Sequence, residues 1–376
     1  MRSRLLSLAL PVLALFAIFA PPGHAATVQS RITSAVNGSS RLPVQHTIPP
    51  RALRANDLGP ASANMSLTSL SLRFNMTAAQ EADITQLLAD QQNPNSPHYH
   101  EWLTPEQYGA RFGLSSSDLA KVSSWLTSQG FTITGTARSS NFITFSGTVA
   151  QAQQAFGTSI HSLLLDGEQH ISNLTDPVLP SAIAGVVTTI TGLNDFKLKP
   201  RARTVKLDPK YTSTVSGTTS HYMAPGDFYT IYNLNPLLSN SINGKGVTIG
   251  VLGQTSLASG NTDLTAFRAA SGLSSYCVQT SVTSTTCANQ NLPILTLQLY
   301  GSNPGVVTGD IDEANLDVEW SGAVAPSANI LFIYSGDVLN TSLANAVSNN
   351  LAPILSISYG LCESILVVSQ PKSYNQ

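Results

Sequence analysis

Apolar positions recur along this chain at two periods, and the way they alternate changes near residue 244. Before that point short strand-like runs are interleaved with amphipathic helical spacing. Leu67, Leu70 and Leu72 open a strand, and residues 78–92 predict a helix with Ile84, Leu87 and Leu88 on one face. Thr104-Pro105-Glu106-Gln107 has the form of a helix start: a Thr cap, proline in the first turn and Gln three residues on. Residues 117–129 place Leu119, Val122, Trp125 and Leu126 at helical spacing, with Gly130 as the stop. Strands are predicted over 131–137, 141–148 and 160–165, and a helix over 150–156. Together these elements predict a small sheet with helices on one face.

From Gly244 the runs become nearly continuous in apolar residues and alternate with helices. Strands are predicted over 247–252, 292–300, 329–334 and 353–359, and helices over 263–270, 311–323 and 339–349. That alternation predicts a parallel sheet covered on both faces, whose chemistry gathers at the carboxyl ends of its strands. Residues 26–60 show no periodicity and are expected to form a flexible lead-in. Between the two domains lies a basic stretch with Lys197, Lys199, Arg201, Arg203, Lys206 and Lys210. It is expected to be a solvated linker, where proteolysis concentrates. The domain plan is a leader (1–25), the lead-in (26–60), a first domain (61–195), the linker (196–215) and a second domain (216–376).

The leader changes where the protein is expected to act. Arg2 and Arg4 precede an apolar run to Ala20, and Gly23-His24-Ala25 supplies small residues around a cleavage point after Ala25. This is the pattern of a secretory signal, which predicts an extracellular or periplasmic protein with no membrane span after cleavage. Charged residues are only 11% and the net charge is −2, so nothing in the balance points to nucleic acid. Cys277 and Cys287, ten positions apart, are candidates for a local disulfide, and Cys362 is the odd one of three.

Five acids crowd residues 309–319: Asp310, Asp312, Glu313, Asp317 and Glu319. On a helix Glu313 and Asp317 lie one turn apart on the same face. Two readings are open on spacing alone: an acidic helix start favoured by the macrodipole, or a coupled pair in which one acid keeps its proton. All seven histidines precede the repeated strand–helix units, so a Ser-His-Asp or Cys-His arrangement within them is excluded. A general base there is expected to be a carboxylate. His98 and His100 are expected at the surface or in packing rather than on a metal. Gly250 and Gly253 fit neither a dinucleotide fingerprint nor a P-loop, and Gly217-Thr218-Thr219-Ser220 precedes the sheet.

Several motifs, taken in order, resemble the sedolisin (serine-carboxyl, kumamolisin-like) peptidase precursors. His98-Tyr99-His100-Glu101-Trp102-Leu103-Thr104-Pro105-Glu106-Gln107-Tyr108 and Asn141-Phe142-Ile143-Thr144-Phe145-Ser146-Gly147-Thr148 are similar to the family's activation propeptide. Tyr222-Met223-Ala224-Pro225-Gly226-Asp227-Phe228 and Gly244-Lys245-Gly246-Val247-Thr248-Ile249 resemble the start of its catalytic domain. Glu313-Ala314-Asn315-Leu316-Asp317 resembles the family's E-x-x-L-D helix, and Ile357-Ser358-Tyr359-Gly360 with Glu363 the strand edge beside its substrate cleft. The resemblance implies an α/β fold: a small α+β, ferredoxin-like propeptide, then an incomplete subtilisin-like doubly wound parallel sheet. It also implies a secreted serine-type endopeptidase precursor that acts in acid through a Ser-Glu-Asp mechanism. Glu313 would be the general base and Asp317 the acid orienting it, while Ser358, Tyr359 and Gly360 would bind an extended peptide as an added strand.

The resemblance stops after Glu363. The family's oxyanion aspartate, in a Gly-Asp-Ser-Gly-like stretch, and its Gly-Thr-Ser nucleophile do not follow, and residues 364–376 no longer resemble it. The expectation is therefore a truncated precursor, inactive alone. The alternative is a non-catalytic, propeptide-type inhibitor or binding module for a full-length relative. No metal or cofactor is expected in this chain, since the calcium site of many members would lie further on. The expected partners are a peptide or protein substrate and the propeptide itself, through its contact with the catalytic domain.

Overall fold

A computed structural model describes residues 28–200, 223–257, 262–288 and 291–360, together with the backbone strands Thr212–Val215 and Thr218–His221. The expected leader, most of the basic linker, Cys362 and Glu363 lie outside the described residues.

The first domain is built on a four-stranded antiparallel sheet of β1 (Ser66–Phe74), β2 (Thr132–Thr136), β3 (Phe142–Thr148) and β4 (Val187–Thr191), in the order β2-β3-β1-β4. Helices α1 (Ala78–Gln92), α2 (Pro105–Phe112), α3 (Ser116–Ser128) and α4 (Val149–Phe156) belong to the same domain. Thr77, Thr104 and Thr148 each close a capping box with the Gln three residues on, which fixes where α1, α2 and α4 begin. The core joins Leu70 and Leu72 of β1 and Phe145 of β3 to Val122 and Leu126 of α3 and Phe156 of α4. On α1, Leu87 is buried but Leu88 is exposed, so the apolar face is narrower than the spacing suggested. A second sheet pairs Asn56–Pro60, Ile160–Leu165 and Glu168–Asn173.

The expected flexible lead-in differs from what is found. Ile32 and Val44 enter the first domain's core. The fully buried carboxylate of Asp118 accepts hydrogen bonds from Ser30 Oγ and from the backbone N–H of Arg31 and Ile32. Isolated apolar residues without a period can still anchor a strap when a buried acid satisfies its backbone donors.

Gly192, just past β4, turns the chain away from this sheet at a φ of +85°. A Cβ there would lie 2.4 Å from the Ser69 carbonyl oxygen, so only glycine fits. The chain then runs through β5 (Lys199–Pro200) toward the second domain.

The second domain's strands are β6 (Thr248–Gly253), β7 (Cys277–Gln279), β8 (Ile294–Leu299), β9 (Asn329–Tyr334) and β10 (Ile354–Ile357). They form one parallel sheet in the order β7-β8-β9-β6-β10. Alternate residues serve opposite faces. Val251, Ile330 and Phe332 pack with Ala314 and Val318 of α6 (Ile311–Val324) and Leu264 of α5 (Thr262–Ala270). Leu252, Leu331 and Ile333 pack on the other side with Val338 and with Ala346 of α7 (Ala344–Ser348). The sheet is thus covered on both faces. The helix expected over 339–349 is split, with a π-helical turn at Val338–Leu343 leading into α7. Strand β7 went unpredicted in its Ser/Thr-rich surroundings, and Cys277 at its start is joined by a disulfide to Cys287.

Candidate active site

In a parallel sheet the crevice lies at the carboxyl ends of the strands, where neighbouring connections leave to opposite faces. Here that place is the end of β6, between β9 and β10. Three segments meet there: Gln254 after β6, residues 358–360 after β10, and the first turns of α6.

Helix α6 presents the acids. Asp310 at its N-cap and Glu313 are buried, at 6% and 4% exposure, and Asp317 follows one turn on. Ser358 Oγ donates to Asp317 Oδ1 at 2.9 Å, while Asp317 Oδ2 is buried with no hydrogen-bond partner. Burial pushes the Asp317 carboxyl up to about 6; the Ser358 hydrogen bond opposes this and the Glu313 charge adds to it. Asp310 is raised too, chiefly by burial, with Gln254 and the Lys197 charge pulling the other way. The Tyr359 hydroxyl is buried and feels Asp310, Asp317 and Glu313 together. The sequence-level pair is therefore part of a triad of carboxyls around Tyr359 and Ser358. Glu319 faces away: burial first, then the Asp263 charge of α5, pushes it up to about 7.

The strand edge expected to bind peptide does hold a strand. The linker residues Lys199 and Pro200 (β5) pair antiparallel with Gly360 and Tyr359 (β11, Tyr359–Gly360). Gln254 Nε2 donates to the Leu198 carbonyl at 3.0 Å and lies 3.4 Å from Asp310 Oδ2. The first domain holds the same segment from its other end. Arg51 donates to the Lys197 carbonyl and lies over the Phe196 ring, and the ring of His170 packs against Phe196. A cavity of about 350 Å³ lies beneath this crossing, lined by Met65, Ser69, Lys197, Gln254, Asp337 and Asn340 among others.

Gln254 and Leu198 were not singled out in the sequence. A polar residue directly after an apolar central strand of a parallel sheet was the available signal for Gln254. His98 lies in the first domain, hydrogen-bonded through Nδ1 to Glu101. Among the described residues no group of three or more His, Cys, Asp or Glu is placed to hold a metal ion.

Residues 54–196 match the pro-kumamolisin activation domain. Over 353 residues, 92% of this chain, the sequence is 23% identical to xanthomonalisin of Xanthomonas sp. (strain T-22), covering 41% of that protein. It is 25% identical over 308 residues to sedolisin of Pseudomonas sp. (strain 101), covering 79% of this chain and 48% of the relative. With kumamolisin of Bacillus sp. (strain MN-32) the identity is 24% over 327 residues, 82% of this chain and 53% of the relative. The chain is similar to these sedolisin-family precursors along most of its length. It spans about half the length of these curated relatives. The activation-domain match covers the first domain's sheet, and the acid-bearing helix α6 lies outside it, in the second domain. Among the described residues no helix is long and apolar enough to cross a membrane.

Proposed function

We propose that this chain is the activation and substrate-binding part of an acid-acting serine-carboxyl endopeptidase, exported as a zymogen whose own linker occupies the cleft. The observation that carries this reading is the antiparallel pairing of Lys199-Pro200 with Tyr359-Gly360, beside the carboxyls of Asp310, Glu313 and Asp317. A peptide added to a sheet edge is bound through its backbone, so one seat can hold many sequences. The leader pattern around Arg2, Arg4 and Ala25 and the Cys277–Cys287 disulfide support export.

In this mechanism Glu313 takes the proton from a serine hydroxyl. Asp317, still protonated below about pH 6, donates a hydrogen bond that orients its neighbour. The nucleophile and the oxyanion acid are not supplied by any motif after β10 in residues 1–376, so on this reading these residues alone hold a peptide without cutting it. The deciding measurement is peptide hydrolysis near pH 4 by the protein translated with whatever coding sequence continues past residue 376. Glu313→Gln and Asp317→Asn are each expected to lower kcat/KM by on the order of a thousandfold or more. Undiminished hydrolysis in either variant sinks that residue's assignment. For residues 1–376 alone, labelling of Ser358 by an acyl-enzyme-forming probe would overturn the view that the nucleophile lies elsewhere.

A second reading is favoured by the same occupied edge: the activation domain and linker act as an inhibitor of a complete relative. Micromolar inhibition of such a peptidase by this chain would support it, and none at that level would rule it out.

A further inference from the structure

The linker segment is seated more selectively than two strand bridges require. Lys197 and Lys199 are exposed, whereas Phe196, Leu198 and Pro200 are partly buried, the alternation of an extended segment lying on a surface. Leu198 packs against the cluster of Leu252, Leu331, Ile333, Val338, Ala346 and Tyr359. That cluster is the core of one face of the parallel sheet, so the linker adds an aliphatic side chain to a core at the mouth of the cleft.

The carbonyl of the same residue is also read. Gln254 is 1% exposed, and its side chain takes no part in the strand ladder that β6 makes with β9 and β10. Its backbone N–H donates to Tyr359 Oη at 3.3 Å, which ties it to the edge segment. On its side chain, Nε2 faces both the Leu198 carbonyl and Asp310 Oδ2. Nε2 is the atom that faces both oxygens, so the amide presents its NH2 group to the linker, with Asp310 beside it. A buried amide costs free energy when its donor is unmet, so this one favours a strand whose carbonyl arrives at that point.

We propose that Gln254 is a substrate-positioning residue that holds one backbone carbonyl of an extended peptide, and that the pocket filled by Leu198 selects an aliphatic side chain on that same residue. The ligand class is an extended peptide with leucine or another branched aliphatic at the anchored position and little selection at its two neighbours, whose side chains face solvent. This deepens the peptidase reading and rests on it for the peptide being a substrate. The seat itself stands on the linker geometry.

The full chain tests it through the Lys197–Leu198 bond. A docked backbone cannot enter another protease's cleft, so the rate of trypsin cleavage after Lys197 reports the undocked fraction. Each rate is followed by mass spectrometry and normalised to that of a free peptide with the same residues. Gln254→Met keeps the volume and removes the donor, and is expected to raise the rate about tenfold, the size of one buried hydrogen bond. Gln254→Glu is expected to act in the same direction. Leu198→Asn is expected to raise the rate by about tenfold or more, while Leu198→Ile stays within about threefold of the parent chain. Equal normalised rates for the parent and Leu198→Asn overturn the pocket. Equal rates for the parent and both Gln254 variants overturn the positioning role. Because Leu198 lies in the linker, its variants decide the matter even if a Gln254 change disturbs the domain. None of these rates involves turnover, so failure of the Glu313 test above would leave them readable.

Discussion

In the activation domain Asp83 meets Arg111, Glu106 meets Arg138, Asp57 meets His161 and Asp118 gathers the N–H groups of an entire strap. In the second domain Asp310, Asp317 and Glu319 are partly or wholly buried, and none forms a salt bridge among the described residues. Among the described residues of the latter fold the one buried cation, Arg268, spends its donors on the carbonyls of Ser274, Gly322 and Pro326. The consequence for protonation is opposite in the two domains. Hydrogen bonds hold Asp57, Asp83 and Glu106 below the usual carboxylate range, while burial raises the three acids of the second domain. For Asp118 burial alone would raise the carboxyl, but the bonds from Ser30, Arg31, Ile32 and Ser115 outweigh it.

Linkage gives each scheme a sign. A carboxyl with a depressed folded value contributes stability at neutral pH that is lost as pH falls through that value. A carboxyl with a raised folded value binds its proton more tightly in the folded state, so stability is lost as pH rises from the ordinary value toward the raised one. Acidification therefore loosens the first domain and tightens the half that carries the acid pair.

The contrast breaks first at Asp118. Asp118→Ala strands the donors of Ser30, Arg31 and Ile32, and about 3 kcal/mol of activation-domain stability is expected to go in denaturant titrations of the full chain, with new trypsin cleavage after Arg31. Unchanged stability would mean that the strap is not held through this acid. Arg268→Leu should cost the second domain about 2 to 3 kcal/mol, because three carbonyls lose a charged donor. Hydrogen exchange followed against pH sharpens the comparison. Protection in the parallel sheet should fall between about pH 4.5 and 7, and Glu319→Gln should flatten that fall. The smallest effect belongs to the exposed pair: Glu106→Gln should leave the denaturant midpoint of the full chain nearly unchanged, with any difference disappearing as salt is raised.

Much of this was legible because it is written locally. The capping boxes at Thr77 and Thr104 mark helix starts through residues three apart, and β9 was bounded correctly because the apolar run Ile330–Tyr334 lies between Asn329 and Ser335. Glu313 and Asp317 were legible as a pair because one helical turn separates them. What was not legible depends on residues brought together from afar. Ile32 gives no periodic signal, and its burial is decided by Asp118, 86 positions on. Asp310 was read as an acidic helix start, but its burial depends on Gln254, 56 positions earlier. The linker's charge suggested solvent, and Lys197 and Lys199 are indeed exposed, yet the intervening Leu198 ties it to the cleft.

The pairing of β5 with β11 has a kinetic consequence as well. The linker is attached at its first end to a folded domain, so it competes for the edge as an intramolecular ligand whose effective concentration is on the order of millimolar. A free peptide of the same intrinsic affinity, present at micromolar levels, would occupy the edge only about one time in a thousand. Cutting the tether leaves every contact of the strand intact and only allows it to diffuse away. Opening this cleft is thus a question of covalent continuity more than of affinity.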